Sequence, residues 1–145
     1  MTWKLDYLVI DTPPGTGDIH LSLLESYFID KVIFVSTPQK ISLLDVSKSI
    51  DLYKRFQIKI LGVIKNNIVS YEASDFYEVL KEMNIKSIWE VDFIDKIIEL
   101  CDKGEILEKS NVHITDKIAS IVDEIIFWEK NQKSTKLVFR EVFSI

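Results

Sequence analysis

The stretch of sequence that decides the fold runs from Leu8 to Asp18 and reads LVIDTPPGTGD. An apolar run that ends in a single aspartate, Asp11, is typical of a buried parallel strand with a carboxylate at its carboxyl end. The Pro-Pro-Gly-Thr-Gly that follows can neither continue a strand nor start a helix, because proline removes backbone donors and glycine permits unusual dihedral angles. A carboxylate followed by glycine amides suits a nucleotide and Mg²⁺: the acid holds the water shell of the metal, and N–H groups face a phosphate.

Short apolar runs alternate with helical patterns along the rest of the chain. This alternation predicts an α/β fold, in which βαβ units build a parallel sheet with flanking helices. We predict strands at 5–10, 32–35, 58–64 and 85–91, and helices at 19–28, 41–56 and 74–83. An apolar stripe at helical spacing predicts a last helix that includes residues 118–126. Ser74 and Thr115 are the predicted N-caps of the last two helices.

Length and composition narrow the class of protein. The chain has 145 residues, and its 47% apolar content suits one domain with a real core. A net charge of −5 without a concentrated basic face argues against a nucleic-acid partner. No apolar run approaches about 18 residues and the first residues show no signal-peptide pattern, so we expect a cytoplasmic protein that does not bind a membrane. The one cysteine excludes an internal disulfide.

The octad DTPPGTGD, Asp11 to Asp18, resembles the end of the Walker B strand in the Mrp/Nbp-type ATPases. These are iron–sulfur cluster carriers of the P-loop class, related to ParA and MinD. Further matches follow in the family's order: STPQ at 36–39, SLLDV at 42–46, LGVIKNN at 61–67 and DKG at 102–104. The resemblance implies a P-loop NTPase with a Rossmann-like parallel sheet.

The resemblance covers only the carboxyl-terminal half of that family's domain. The sequence contains no G-x-x-x-x-G-K-[ST] loop, so we expect the fold to lack the N-terminal P-loop strand. Residues 1–128 are expected to form the C-terminal part of an Mrp-type domain. Residues 129–145 are expected to be a linker and a tail that the sequence does not assign.

The resemblance also assigns site residues. It makes Asp11 the catalytic group, holding Mg²⁺ through water, and places Gly15 and Gly17 beside the γ-phosphate of Mg-ATP. Asn66 corresponds to an asparagine that reads the adenine edge. Each has a plainer alternative: a turn-capping aspartate, simple turn glycines, and an Asn-Asn turn. Asp18 is either a site residue or the N-cap of the following helix.

The chain departs from the family in its thiols. The family's C-x-x-C is missing, since residues 68–73 read IVSYEA. Cys101 lies on an apolar helical stripe and is expected to be a small buried hydrophobe. We therefore expect no iron–sulfur cluster on this chain. His20 and His113 stand alone, without ligand spacing, and are predicted to be ordinary surface or partly buried histidines.

The resemblance implies a partial Mrp-like ATP-binding protein that takes part in iron–sulfur cluster assembly or carriage. Its implied partners are an N-terminal half of the same ATPase, a second copy in a homodimer, and iron–sulfur apoproteins. Whether the chain is an enzyme stays open, because the family hydrolyses ATP but this chain lacks the phosphate-binding loop. One alternative is a non-catalytic remnant or interaction module that binds neither ATP nor cluster. A ParA/MinD-like partition ATPase is a second alternative, which the octad disfavours.

Overall fold

The computed structural model describes residues 7–13, 15–26, 29–67, 75–93, 99–100, 102–104 and 114–130, with side chains of the last helix described to Phe127. In chain order the elements are helix α1 (Asp18–Glu25), strand β1 (Lys31–Ser36), helix α2 (Lys40–Arg55), strand β2 (Lys59–Asn66), helix α3 (Phe76–Glu82), strand β3 (Ile88–Val91) and helix α4 (Ile114–Lys130). The predicted α/β alternation is confirmed, with helices between parallel strands.

The described sheet has the order β1-β2-β3, and both pairs are parallel. The register shifts between Val32 and Ile33, which pair with Ile60 and Gly62, so Leu61 is an extra residue in β2. Strand β3 then approaches closely. A Cβ on Gly62 would overlap the Ser87 carbonyl oxygen and lie 2.6 Å from the Trp89 ring. Glycine at 62 is what lets β3 pack at this distance.

Apolar side chains cover the sheet on both faces, which is why its strands read as continuous apolar runs. The larger cluster comes from α1, α2 and α3 packed on β1 and β2, and its buried members are Leu24, Ile29, Val32, Phe34, Leu43, Val46, Ile50, Tyr53, Val63, Phe76 and Leu80. The smaller cluster involves α4, and its buried members are Leu61, Val91, Leu100, Ile114, Ile121 and Ile125.

Helices α2 and α3 end in the same way, on a left-handed residue that is not glycine. Gln57 and Asn84 both have φ of 59°. After α2, Gln57 N–H donates to the Lys54 carbonyl and Ile58 N–H to the Tyr53 carbonyl, a Schellman motif. After α3, Asn84 and Ile85 repeat that pattern. These caps turn the chain sharply into β2 and toward β3.

The predicted first strand, residues 5–10, is wrong wherever the structure describes it. Residues 7–10 form no strand, and Leu8 and Val9 are exposed. Residues 5 and 6 lie outside the described residues. A strand exists only when its N–H and C=O groups pair with a neighbour, and an apolar run alone does not supply one.

Three predicted caps also differ. The N-cap of α1 is Gly17, so Asp18 is the first helical residue and does not cap the helix. The N-cap of α3 is Asp75, and Ser74 lies outside the described residues. Thr115 lies inside α4, which begins at Ile114 and continues to Lys130, two residues beyond the predicted boundary at 128. The other observed boundaries differ from the predicted ones by a few residues at most. For example, β3 begins at Ile88, three residues after the predicted start of that strand.

Candidate functional site

The candidate site is the loop from Asp11 to Gly17, which leads into α1. Asp11 is exposed, and the next residue, Thr12, takes part in a single β-bridge. Thr12 is only 5% exposed, and its Oγ1 atom is buried without a hydrogen-bond partner among the described residues. A buried hydroxyl normally makes a hydrogen bond, so Thr12 is a candidate polar contact at this loop.

The loop ends at a helix N-terminus with room in front of it. Gly17 is the N-cap of α1, and no side chain caps the helix. Gly15 has φ of +96°, a conformation that strains other residues. No heavy atom lies within 4 Å of a Cβ built on Gly15 or Gly17. First-turn N–H groups, the positive end of the helix dipole and open space together form an arrangement that favours an anion.

His20 fixes this loop to the body of the fold. Its Nε2 atom lies 2.8 Å from the Pro13 carbonyl oxygen, and its Nδ1 atom lies 3.2 Å from the Tyr53 hydroxyl. Because a carbonyl only accepts, Nε2 carries the hydrogen in neutral His20, and Nδ1 accepts from Tyr53. Tyr53 in turn packs edge-on against Phe34 in β1, with ring centroids 5.5 Å apart.

His20 was predicted to be an ordinary surface or partly buried histidine. It is instead buried, at 1% exposure, and its two ring nitrogens hold the loop against α2. One signal was available: His20 and Leu24 are four residues apart on one helical face, and both are buried. A lone histidine on such a stripe indicates a hydrogen-bonded core residue rather than a surface one.

Asn66 occupies the last position of β2 and is half-buried. The adjacent Asn67 N–H donates to the Val91 carbonyl at 2.9 Å, which fixes the backbone there. No hydrogen bond or ion pair among the described residues joins Asn66 to residues 11–18.

Lys65, beside Asn66, points to the opposite face of the sheet because side chains alternate along a strand. Its ammonium is nearly buried and lies 3.1 Å from the Glu90 carboxylate and 3.4 Å from the Tyr77 hydroxyl. It also lies 5.0 Å from the centroid of the Tyr77 ring. Lys65 thus binds within the fold, between β3 and α3.

The STPQ match forms the turn between β1 and α2. The Thr37 hydroxyl lies 2.9 Å from the Gln39 amide oxygen and 2.6 Å from the Ser42 hydroxyl. Ser36, Thr37 and Ser42 are buried. Their mutual hydrogen bonds satisfy the buried hydroxyls and fix the start of α2, which is a structural role.

Several predicted features lie outside the described residues: the IVSYEA segment at 68–73, Cys101 and His113. Within the described ranges, no group of three or more histidine, cysteine or acidic residues could hold a metal ion. None of the helices in the described part of the chain is long and apolar enough to cross a membrane.

The sequence matches a known protein family and several curated proteins. The family model of the ParA/NUBPL iron-transfer P-loop NTPases matches residues 1–126. An iron–sulfur cluster carrier protein from Rickettsia typhi is 52% identical over 101 residues, which are 70% of this chain and 32% of the relative. The Rickettsia felis carrier is 50% identical over the same shares.

A more distant relative is a protein from Schizosaccharomyces pombe named as a probable cytosolic Fe-S cluster assembly factor. It is 48% identical over 77 residues, 46% of this chain and 13% of the relative. The matches thus span about a third or less of the curated relatives' own length. Because the family model covers most of the chain, including the loop and all three described strands, this chain belongs to the NUBPL-type iron-transfer P-loop NTPases of the ParA family.

Proposed function

We propose that the loop from Asp11 to Gly17 binds the phosphates of Mg-ATP and that the chain takes part in iron–sulfur cluster assembly or carriage. The observation that carries the nucleotide proposal is Thr12 Oγ1, a buried hydroxyl without a hydrogen-bond partner in the described part of the chain, beside Asp11 and ahead of a helix whose N-cap is glycine. A phosphate or metal-bound water would supply the missing partner. The relatives' printed names carry the iron–sulfur part of the proposal.

Each residue has a stated task in this proposal. Asp11, exposed beside the loop, holds Mg²⁺ through a water molecule and is the catalytic carboxylate. Gly15 and Gly17 leave space for phosphate oxygens to approach the backbone. Asn66 recognises the adenine edge, since an amide both donates and accepts. Bound Mg-ATP would supply phosphoryl transfer; the chain supplies binding and orientation.

The phosphate-binding loop must come from other residues, because this sequence has no G-x-x-x-x-G-K-[ST]. We propose that a polypeptide carrying that loop joins the chain as the N-terminal half of the ATPase, and that two such units form a homodimer. Ile19, Ile41 and Leu44 support an interface, because these apolar residues at the starts of α1 and α2 are exposed.

The iron–sulfur cluster is cargo in this proposal, delivered to apoproteins. One cysteine per chain cannot supply the usual four thiolates, even from two copies. We therefore expect no stable cluster on this chain alone, and the ligands would come from another polypeptide. The name of the fission-yeast relative supports a cytoplasmic location.

The second candidate is an interaction module that binds neither ATP nor cluster. The absence of a strand at residues 7–10 favours it, because Asp11 then lacks the rigid support of a sheet. No observation favours a partition ATPase, since the reported relatives are named as iron–sulfur proteins.

Calorimetric titration of ATP separates these candidates, with the chain alone and with a co-expressed segment that carries G-K-G-G-x-G-K-[ST]. We expect Mg²⁺-dependent binding by the co-expressed pair, lost in Asp11→Asn and kept in the matched control Asp51→Asn, at an exposed position on α2. Asn66→Asp should weaken preference for ATP over GTP, whereas Asn67→Asp should not. Lack of binding by the co-expressed pair, with both segments folded, would favour the interaction module.

A further inference from the structure

A groove of about 260 Å³ lies at the amino-terminal end of the sheet, between two connections. One connection joins α2 to β2, and the other joins α3 to β3. Three lysines, Lys54, Lys59 and Lys86, contribute to the groove's lining, and none of its described lining residues is acidic. None of these residues belongs to the nucleotide site proposed above, so the groove needs its own explanation.

The walls of this groove are fixed by backbone hydrogen bonds. The two Schellman motifs at Gln57 and Asn84 shape the two connections. The Lys54 ammonium crosses between them and donates to the Met83 carbonyl at 2.6 Å. The extra residue in β2, Leu61, also contributes to the lining. The groove is therefore largely preformed rather than dependent on mobile side chains.

The floor is apolar and the rim is cationic. Ile58, Ile60 and Ile85 line the groove as partly buried side chains. Lys59 is the first residue of β2 and Lys86 lies in the connection that leads to β3, so the two lysines line the groove from different segments. In a chain with a net charge of −5, such a concentration of lysines is a local reversal of sign. Opposite charge would steer an acidic ligand to this end of the sheet.

The neighbouring charges are of both signs. Lys31 is buried and pairs with Lys59 in the register of β1 and β2, and Asp30 is the acid beside Lys31. The Lys54 ammonium already donates a hydrogen bond at the carboxyl end of α3, where a positive charge is favourable. Lys59 and Lys86 are the other two lysines of the lining, and Lys59 would contact a ligand alongside the interaction that it already makes in the fold.

We infer that this groove binds an acidic peptide segment of a partner protein, with carboxylates at Lys59 and Lys86 and an apolar side chain on the isoleucine floor. A small free anion fits less well, since the lysines come from separate elements and enclose apolar side chains instead of converging on one point. A segment that alternates acidic and apolar residues matches both rim and floor. The inference does not rest on nucleotide binding.

The test uses the full chain and a short fluorescein-labelled peptide in which glutamate alternates with leucine. Fluorescence anisotropy measures binding at low and at physiological salt, and methyl shifts in isoleucine-labelled protein locate the contact. We expect shifts at Ile58, Ile60 and Ile85. The Lys59→Glu/Lys86→Glu variant should bind at least about tenfold more weakly. A peptide with glutamine in place of glutamate should bind as weakly as that variant does.

The matched control is Lys48→Glu/Lys117→Glu, which makes the same change in net charge at exposed lysines on α2 and α4. Its affinity should stay within about twofold of the unmodified chain. If charge reversal at the groove prevents folding, as circular dichroism would show, Lys59→Gln/Lys86→Gln replaces it with the same expectation. Equal losses in the groove and control variants, no peptide binding by the unmodified chain, or preference for phosphatidylserine vesicles over the peptide would each overturn the inference.

Discussion

The Nδ1 atom of His20 lies 3.2 Å from the Tyr53 hydroxyl, and the same imidazole reaches the Pro13 carbonyl through Nε2. One buried side chain thus joins the candidate nucleotide loop to α2. This contact holds the loop where the preceding residues do not, because Leu8 and Val9 are exposed and outside any strand.

Tyr53→Phe should lower the free energy of unfolding by about 1–2 kcal/mol, because it leaves the buried Nδ1 of His20 without its donor. Urea denaturation monitored by circular dichroism measures the change. Tyr77→Phe is the comparison: it removes a longer, 3.4 Å contact from Lys65 to an exposed tyrosine, Lys65 keeps Glu90 as a partner, and the effect should be smaller. A loss of equal size in both variants would show that the His20–Tyr53 contact contributes nothing specific.

Gly62→Ala should destabilise the fold by roughly 3 kcal/mol or more, or prevent folding. The added methyl group would overlap the Ser87 carbonyl oxygen and the Trp89 ring, and backbone cannot move aside as a flexible side chain can. Gly17→Ala provides the comparison, since no heavy atom lies near its Cβ; a weaker N-cap should cost it about 1 kcal/mol at most. Thermal unfolding measures the stability of both variants. A Gly62→Ala protein as stable as the Gly17→Ala protein would contradict the close packing of β3.

Lys31→Met should raise the free energy of unfolding by about 1 kcal/mol at neutral pH. Burial lowers the pKa of Lys31 below its ordinary value of 10.5, with Lys59 as a second cause, while Asp30 acts in the opposite direction. Between that lowered pKa and 10.5 the unfolded chain holds more protons than the folded one, so stability of the unmodified chain rises with pH there.

The advantage of Lys31→Met should accordingly shrink as pH rises toward 10.5. Urea titrations at several pH values measure it, and Lys40→Met, at an exposed position on α2, should show no such trend. An advantage that stays constant with pH would mean that packing, rather than the charge of Lys31, explains the effect.

The isolated chain should release no phosphate from Mg-ATP above background. Catalysis of phosphoryl transfer depends on positioned charge around the phosphates, and this sequence has no G-x-x-x-x-G-K-[ST] loop to provide it. Steady-state phosphate release from purified protein is the measurement. Turnover in the unmodified chain that Asp11→Ala abolishes would refute this expectation.

Sequence patterns predicted the elements that carry a strong periodic signal of their own. Strands β1 and β2 and helix α2 follow their patterns within two residues, because a doubly covered parallel strand and an amphipathic helix have strong periodic signals. The run at residues 7–10 has an equally apolar sequence, yet whether it pairs depends on a neighbouring strand that its own residues do not encode.

The candidate site was predictable only in its residue types. The octad identified Asp11, Gly15 and Gly17, and the left-handed conformation of Gly15 agrees with the turn chemistry of that loop. The anchoring by His20 depends on Tyr53, 33 residues later, and such long-range partners have no local signature. The basic groove likewise combines residues from two connections that are distant in sequence.

Strand β2 is the one strand in the described sheet with a neighbour on each side. Each new parallel pairing requires a helical crossover, so the chain must close a long loop before either edge of β2 gains hydrogen bonds. In amide hydrogen exchange, β2 is accordingly the part of the sheet that opens last, and the edge strand β1 opens before it. The candidate adenine-reading residue Asn66 thus ends the strand that we expect to open last, whereas Asp11 lies beside an isolated β-bridge at Thr12.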